Sequence, residues 1–353
     1  MIGVVVPTYN RRQNLELLLD SLARQTIQDF HVIITDDGST DGTREFVELR
    51  ARDHPWQNRL QWISCGPHQG TRIGRARNIG TANLSAGTRL LLMLDSDLVL
   101  RPEALALYAD AHVRHSRHVL FGRVDWLPPM DRSAVAAAIA EGTLHRLRRL
   151  VPPKSERVAG TFTGPELRTN LFVRHVHEPT AMDPGWALSL NVGWPLDLYW
   201  AIGGFDETFR YGYSDMEMGA RASEAGARCL ACPGLWALHV WHPKPAEMLV
   251  EMQFDLDRYI RRHGGYLRRA GFGHALEAEI DWTLWCHYHA ERGGAPARWQ
   301  GRLWAVSADR RHRLALPGQV WFDRLGYDGP GNGDVAGRDL ARAADHGVAA
   351  ELS

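Results

Sequence analysis

The sequence has no excess of either charge, because 41 Lys and Arg residues balance 41 Asp and Glu residues. That balance excludes the broad basic footprint of a nucleic-acid-binding protein. Cysteine is scarce, at four residues in 353, which excludes a disulfide-built secreted scaffold. Cys229-Leu-Ala-Cys232 does precede His239-Val-Trp-His242, but the gap is too short for zinc-finger spacing and the segment reads as a strand after a helix. Reduced, buried thiols are the expectation. No apolar run approaches the ~20 residues of a bilayer span, and Met1 leads directly into an apolar segment with no charged leader before it. No transmembrane span and a cytoplasmic location are therefore expected. No internal repeat is present.

What is there alternates in period. Ile2 to Val6 is an apolar run broken by Pro7-Thr8-Tyr9-Asn10, which reads as a buried strand entering a loop. Leu15, Leu18, Leu19 and Leu22 then recur at helical spacing. Strands are predicted over Phe30 to Thr35 and Leu60 to Cys65, and helices over Glu45 to Arg52 and Arg75 to Asn83. Strand and helix alternating with short loops imply an α/β protein with a mostly parallel central sheet flanked by helices. The most hydrophobic run, Leu90 to Leu94, ends in Asp95-Ser96-Asp97. Two carboxylates at the mouth of a buried strand stand where open α/β sheets bind ligands. An Asp-x-Asp there suits a hard divalent cation carrying a diphosphate.

Further along, the pattern predicts a helix over Pro102 to His115, a strand over Val119 to Val124 and an Ala-rich helix over Ala134 to Leu150. Val151 to Pro184 carries no clear period, and so long an irregular stretch inside a domain is usually functional or disordered. Alternation returns over Trp186 to Trp194. Ala246 to Tyr259 and Ala275 to Glu291 read as helices, and the tail from Gly293 is rich in Gly, Ala, Arg and Asp.

Six segments in order resemble the GT-A glycosyltransferases of the family 2 type. They are Pro7-Thr8-Tyr9-Asn10-Arg11, Asp36-Asp37-Gly38-Ser39-Thr40-Asp41, Ala76-Arg77-Asn78-Ile79-Gly80, Asp95-Ser96-Asp97, Gly203-Gly204-Phe205-Asp206-Glu207 and Ser214-Asp215-Met216-Glu217. The resemblance implies a GT-A, Rossmann-like catalytic domain over 1–245, a C-terminal helical extension over 246–292 and a polar tail over 293–353. It also implies sugar transfer from a UDP-sugar to an acceptor hydroxyl, of the hexosyl or N-acetylhexosaminyl class, dependent on Mn²⁺ or Mg²⁺ and inverting.

The same resemblance distributes roles. Pro7, Thr8, Tyr9, Arg11, Asp37, Arg75, Arg77, Asp95 and Ser96 would bind the nucleotide, with Asp37 accepting from uracil N3 and Tyr9 stacking on the ring. Asp97 is the first metal ligand. His239 resembles the metal-binding histidine of polypeptide N-acetylgalactosaminyltransferases, with His242 as its rival and Asp95 as a further ligand or ribose partner. Asp215 takes the place of the catalytic base, and Ser214 stands where the family usually has Glu. Trp186, Asn191, Asp206, Ser214 and Glu217 fall where sugar and acceptor contacts are expected. The alternatives are a retaining transferase, a nucleotidyltransferase, and a non-catalytic carbohydrate-binding protein on the same fold. The acceptor would be a glycan, a lipid-linked sugar or a protein. Arg261, Arg262, Arg268 and Arg269 beside aromatic residues leave room for peripheral membrane association, and the C-terminal helices for a homodimer.

Overall fold

The computed structural model describes residues 1–149, 179–182, 184–186, 189–210, 212–242, 255, 258, 259, 262 and 263. Its sheet begins where the apolar runs predict. Strands β1 (Ile2–Thr8), β2 (Phe30–Asp36), β3 (Leu60–Ser64) and β4 (Leu90–Leu94) run parallel in the order β3-β2-β1-β4. Every residue of β1, β2 and β4 is buried, as strands covered on both faces require.

Helices α1 (Arg12–Ala23), α2 (Thr43–Arg50) and α3 (Ile73–Ala82) make the crossovers. Helix α3 sits very close to the sheet: a β-carbon on Gly80 would lie 2.5 Å from Val5 Cγ1 and 3.0 Å from Thr35 Cγ2. Gly80→Val should therefore destabilise the protein by about 2–3 kcal/mol through overpacking. Urea unfolding would register this as a lower midpoint; an unchanged midpoint would mean that α3 is not seated on β1.

The second half of the sheet is mixed. Strand β8 (Asn191–Pro195) pairs antiparallel with β4 and with β6 (His118–Trp126), and β6 pairs parallel with β9 (Arg228–His239). Two short strands, β5 (Leu98–Leu100) and β7 (Thr180–Met182), join β9 antiparallel. Helices α4 (Ala104–Arg114), α5 (Arg132–Glu141), α6 (Leu144–Arg148), α7 (Leu196–Ala201) and α8 (Ser214–Glu224) complete the described regular structure.

Two expectations are corrected. The single helix over Ala134 to Leu150 is two helices, because Gly142 adopts φ +69° and its N–H bonds the carbonyls of Ala138 and Ile139. A left-handed glycine that satisfies the last carbonyls ends a helix whatever its alanine content. The alternation from Trp186 does not form one strand either. Pro184–Trp186 is a 3₁₀ turn, and the strand starts only at Asn191.

The chain divides into two compact units. The first carries the sheet. In the second, Tyr213 stacks on Tyr259 at 5.9 Å between ring centroids, and Tyr259 neighbours His263. Of the helix expected over Ala246 to Tyr259, Asp255, Arg258 and Tyr259 are described, and all are helical. The helix expected over Ala275 to Glu291, the tail from Gly293 and most of Val151 to Pro184 lie outside the described residues. Among the described residues no helix is long and apolar enough to cross a membrane.

Candidate active site

Asp95, Ser96 and Asp97 form the tight connection between β4 and β5. The backbone ladder then carries a residue from far along the chain to this turn: Leu98 pairs with His239, and Val240 N–H donates to the Asp97 carbonyl at 2.8 Å. The side chains converge accordingly. Asp97 Oδ1 lies 3.2 Å from His239 Nε2, and Asp97 Oδ2 lies 2.8 Å from His242 Nε2.

His239 is buried and stacks on Trp126 at 3.4 Å between centroids, so its ring plane is set by the β6–β9 pairing of the same two residues. His242 Nδ1 lies 3.0 Å from Arg11 Nη2. A guanidinium can only donate, so Nδ1 accepts and the ring proton is on Nε2, directed at Asp97. Burial alone would raise the Asp97 carboxyl, but the two imidazoles hold it well below the usual carboxylate range.

One ligand atom from each of Asp97, His239 and His242 falls within 4.8 Å of the others, the one such group among the described residues. Asp97 Oδ1 is buried with no hydrogen bond of good geometry. A buried anionic oxygen facing imidazole nitrogens fits a divalent cation, and mixed oxygen and nitrogen donors suit Mn²⁺ better than Ca²⁺. Cys229 and Cys232 are buried in β9 and outside this group. Burial pushes the Cys232 thiol up to about 11, which leaves it protonated.

The structure separates the two carboxylates of the turn. Asp95 turns to Arg77 on α3, whose Nη2 donates to Asp95 Oδ1 at 2.9 Å and to the Ser189 carbonyl at 3.1 Å. Arg77 Nη1 donates to Asp215 Oδ1 at 2.8 Å, and the guanidinium lies 5.3 Å from the centre of the Phe205 ring. Arg77 is thus a buried cation bridging two anions, not a surface arginine. Burial pushes Asp95 up to about 7 against the pull of Arg77, with Asp97 and Asp215 adding to the rise.

Asp215 lies in the first turn of α8, where a carboxylate meets the positive end of the helix dipole. Its Oδ2 has no hydrogen-bond partner among the described residues, and its side chain is 17% exposed.

Several expected sugar and acceptor residues are engaged in the scaffold. Glu217 is fully buried and receives both Nε and Nη2 of Arg221, whose other bonds go to the carbonyls of Ile202 and Gly204. This carboxylate ties α8 to the glycine turn before Phe205. Asn191 is buried, accepts from the Tyr108 hydroxyl and donates to the carbonyls of Leu235 and Arg123. Asp206 Oδ1 accepts from Thr208 N and Oγ1, closing a local turn. Ser214 is buried, and Trp186 closes the 3₁₀ turn. Asn78, a residue without an assigned role from sequence, holds Phe205 by both backbone N–H and carbonyl and contacts Glu207.

At the ends of β1 and β2 the backbone N–H of Asp37 donates to the Thr8 carbonyl at 3.0 Å. Tyr9 is 40% exposed and stacks on His68 at 3.8 Å, with 8° between the rings. His68 Nδ1 also lies 2.8 Å from Asp37 Oδ2, while Asp37 Oδ1 and Thr8 Oγ1 are buried without partners. Pro7 and Ser96 are buried, and Arg75 donates to the Cys65 carbonyl at 2.6 Å. No pattern in the sequence singled out His68, a lone histidine between Gly-Pro and Gln-Gly.

Residues 3–161 match the family described as Glycosyl transferase family 2. Validoxylamine A glucosyltransferase of Streptomyces hygroscopicus subsp. jinggangensis is 30% identical over 276 residues, covering 76% of this chain and 62% of the relative. A poly(ribitol-phosphate) β-N-acetylglucosaminyltransferase of Staphylococcus aureus is 36% identical over 116 residues, 31% of this chain and 19% of that one. The chain spans about three-fifths of the length of the validoxylamine A glucosyltransferases it matches. In fold it is similar to a mannosyltransferase from Pyrobaculum calidifontis, solved in complex with GDP-Man and Mn²⁺, with a TM-score of 0.53 at 16% identity over 97% of this chain and 86% of the other. The matched motifs lie on the strand ends and on α3 that bring Asp95, Asp97 and Arg77 together, so that over residues 3–161 the chain is similar to glycosyl transferase family 2, and its fold is GT-A-like.

Proposed function

We propose that this protein transfers a hexosyl or N-acetylhexosaminyl unit from a UDP-sugar to an acceptor hydroxyl with inversion, aided by Mn²⁺ or Mg²⁺. One observation carries this reading: an Asp97-His239-His242 donor set and an Arg77-bridged Asp95-Asp215 pair occupy the same mouth of the sheet. A nucleotidyltransferase or a carbohydrate-binding module has no need of a second, arginine-oriented carboxylate beside a cation site. The names of the relatives, a glucosyltransferase and an N-acetylglucosaminyltransferase, support the sugar class.

Asp97, His239 and His242 would hold the cation, which when bound supplies positive charge to the diphosphate leaving group. Tyr9 and Asp37 orient the base, one by stacking and one by accepting the uracil N3–H. Asp215 performs the proton transfer. Arg77 occupies its Oδ1, which fixes the carboxylate plane and leaves Oδ2 to take the acceptor's proton as the hydroxyl attacks the anomeric carbon. Arg77 also pairs with Asp95, so that one buried guanidinium sets both the DxD turn and the base.

The test is a thermal-shift and calorimetric screen of UDP-sugars and GDP-mannose with Mn²⁺ and with EDTA. A ligand at a hundred times its Kd adds about 2.7 kcal/mol to stability. The expected result is a rise of several degrees for UDP-sugars that EDTA cancels; stabilisation by GDP-mannose alone, or equally in EDTA, would overturn the reading. In the same assay His239→Ala should weaken Mn²⁺ far more than His242→Ala. His239 is held by a strand and by Trp126, whereas His242 must move its Nε2 proton before it can ligate, toward a nitrogen that faces Arg11. The reverse order would make His242 the principal ligand.

A further inference from the structure

We propose that His68 stands in for the nucleobase in the free protein, and that nucleotide binding exchanges the imidazole for the base. The inference rests on the reading of Tyr9 and Asp37 as the base site. Two contacts define that site, a face to stack on and a carboxylate to receive a ring N–H, and His68 makes both. Its ring lies parallel to Tyr9 at 3.8 Å, and its Nδ1 is 2.8 Å from Asp37 Oδ2. An ionised carboxylate can only accept, so Nδ1 carries the proton. A planar ring with an in-plane N–H is also what uracil offers through N3.

The surroundings support an exchange over a permanent wall. His68 sits in the loop Gly66-Pro67-His68-Gln69-Gly70, whose two glycines have φ +86° and +83°. Nothing lies within 4 Å of a β-carbon built on Gly66, so there is free space on that side of the residue. Among the described residues no backbone hydrogen bond ties residues 68–71 to the rest of the protein. The carboxylate beneath is the reverse: its side chain is 10% exposed, and its second oxygen is buried with no partner. A buried anion at the mouth of a sheet that lacks any donor is costly, and one borrowed N–H offsets part of that cost. The loop is loosely held and its target is fixed, so the loop is the part that moves. The loop also seats tightly when closed, because a β-carbon on Gly38 would meet His68 N at 2.6 Å.

Such a plug lowers apparent nucleotide affinity by the fraction of molecules with the site open, with no effect on the affinity of the open site itself. The experiment is titration calorimetry of UDP with Mn²⁺ on the full chain, comparing wild type, His68→Ala and Tyr9→Ala. It is paired with NMR of the His68 ring protons, which the Tyr9 ring current shields. Expected are roughly tenfold tighter UDP binding by His68→Ala, as for a site open about a tenth of the time, and movement of the His68 protons to unshielded positions when UDP is added. Unchanged or weaker binding by His68→Ala, or His68 protons that stay shielded in the UDP complex, overturns the exchange. Tyr9→Ala separates the two levels of the argument. UDP binding unaffected by Tyr9→Ala removes the base site, and the plug with it; weaker binding by both variants keeps the base site and makes His68 one of its walls.

Discussion

Asp97→Ala should abolish Mn²⁺-dependent UDP binding, with a loss of at least about a hundredfold in affinity. Asp97 is the one anion in the donor set, and each of its oxygens faces a different imidazole. Without it the donor set has no anion, too weak a charge complement for a hard cation and a diphosphate. The fold should survive, because the backbone bond from Val240 N–H to the residue 97 carbonyl does not depend on the side chain. Calorimetric titration of UDP with Mn²⁺ checks it, with circular dichroism as the control for folding. Wild-type affinity in the variant, or a native affinity indifferent to EDTA, would remove Asp97 from the role.

Asp215→Asn should retain its fold and bind UDP-sugar within a few-fold of wild type, while turnover falls by a hundredfold or more, the usual contribution of a positioned base. The amide oxygen of Asn can still accept from Arg77 Nη1, and Asp95 still neutralises the guanidinium. What the amide cannot do is take a proton. The structure makes the comparison a clean one, because Asp215 lies inside the first turn of α8 and its Oδ1 accepts from Arg77. Single-turnover kinetics alongside a thermal melt separates chemistry from stability. Turnover within a few-fold of wild type would falsify the assignment and favour a retaining reaction that needs no acceptor base at this position.

The half of the sheet built from β1 to β4 was legible because its strands are short, apolar and separated by helices of clear period. Two of the three pairings there, β1 with β2 and β2 with β3, join neighbours in the alternation. The other half was not, since β5 and β7 have three residues each, too few to show a period, and each pairs in the sheet with β9 alone among the described residues. Ala134 to Leu150 misled for a local reason, as one left-handed glycine outweighs a run of good helix formers. At the site, residue identities were readable and residue partners were not. Asp97 and His239 stand far apart in sequence, and only the β5–β9 register makes them neighbours. Arg77 reads equally as a surface cation or a bridge until Asp95 and Asp215 are seen on either side of it. Glu217 shows the reverse: its place in an acidic motif says nothing of the Arg221 fork that receives it.

The pairing of β5 with β9 bears on how the chain folds during synthesis. Asp97 is made early, whereas His239 and His242 emerge some 140 residues later, with β6 and β8 between them. Long-range pairing of this kind is slow, because loop closure precedes any compensating contact. A nascent chain that has released only β1 to β8 presents the aspartates of the turn without their imidazoles. The proposed cation site is then complete only in the finished sheet, and in a pulse-refolding experiment Mn²⁺ affinity should rise with the docking of the last strand, after the parallel core has already acquired protection from hydrogen exchange.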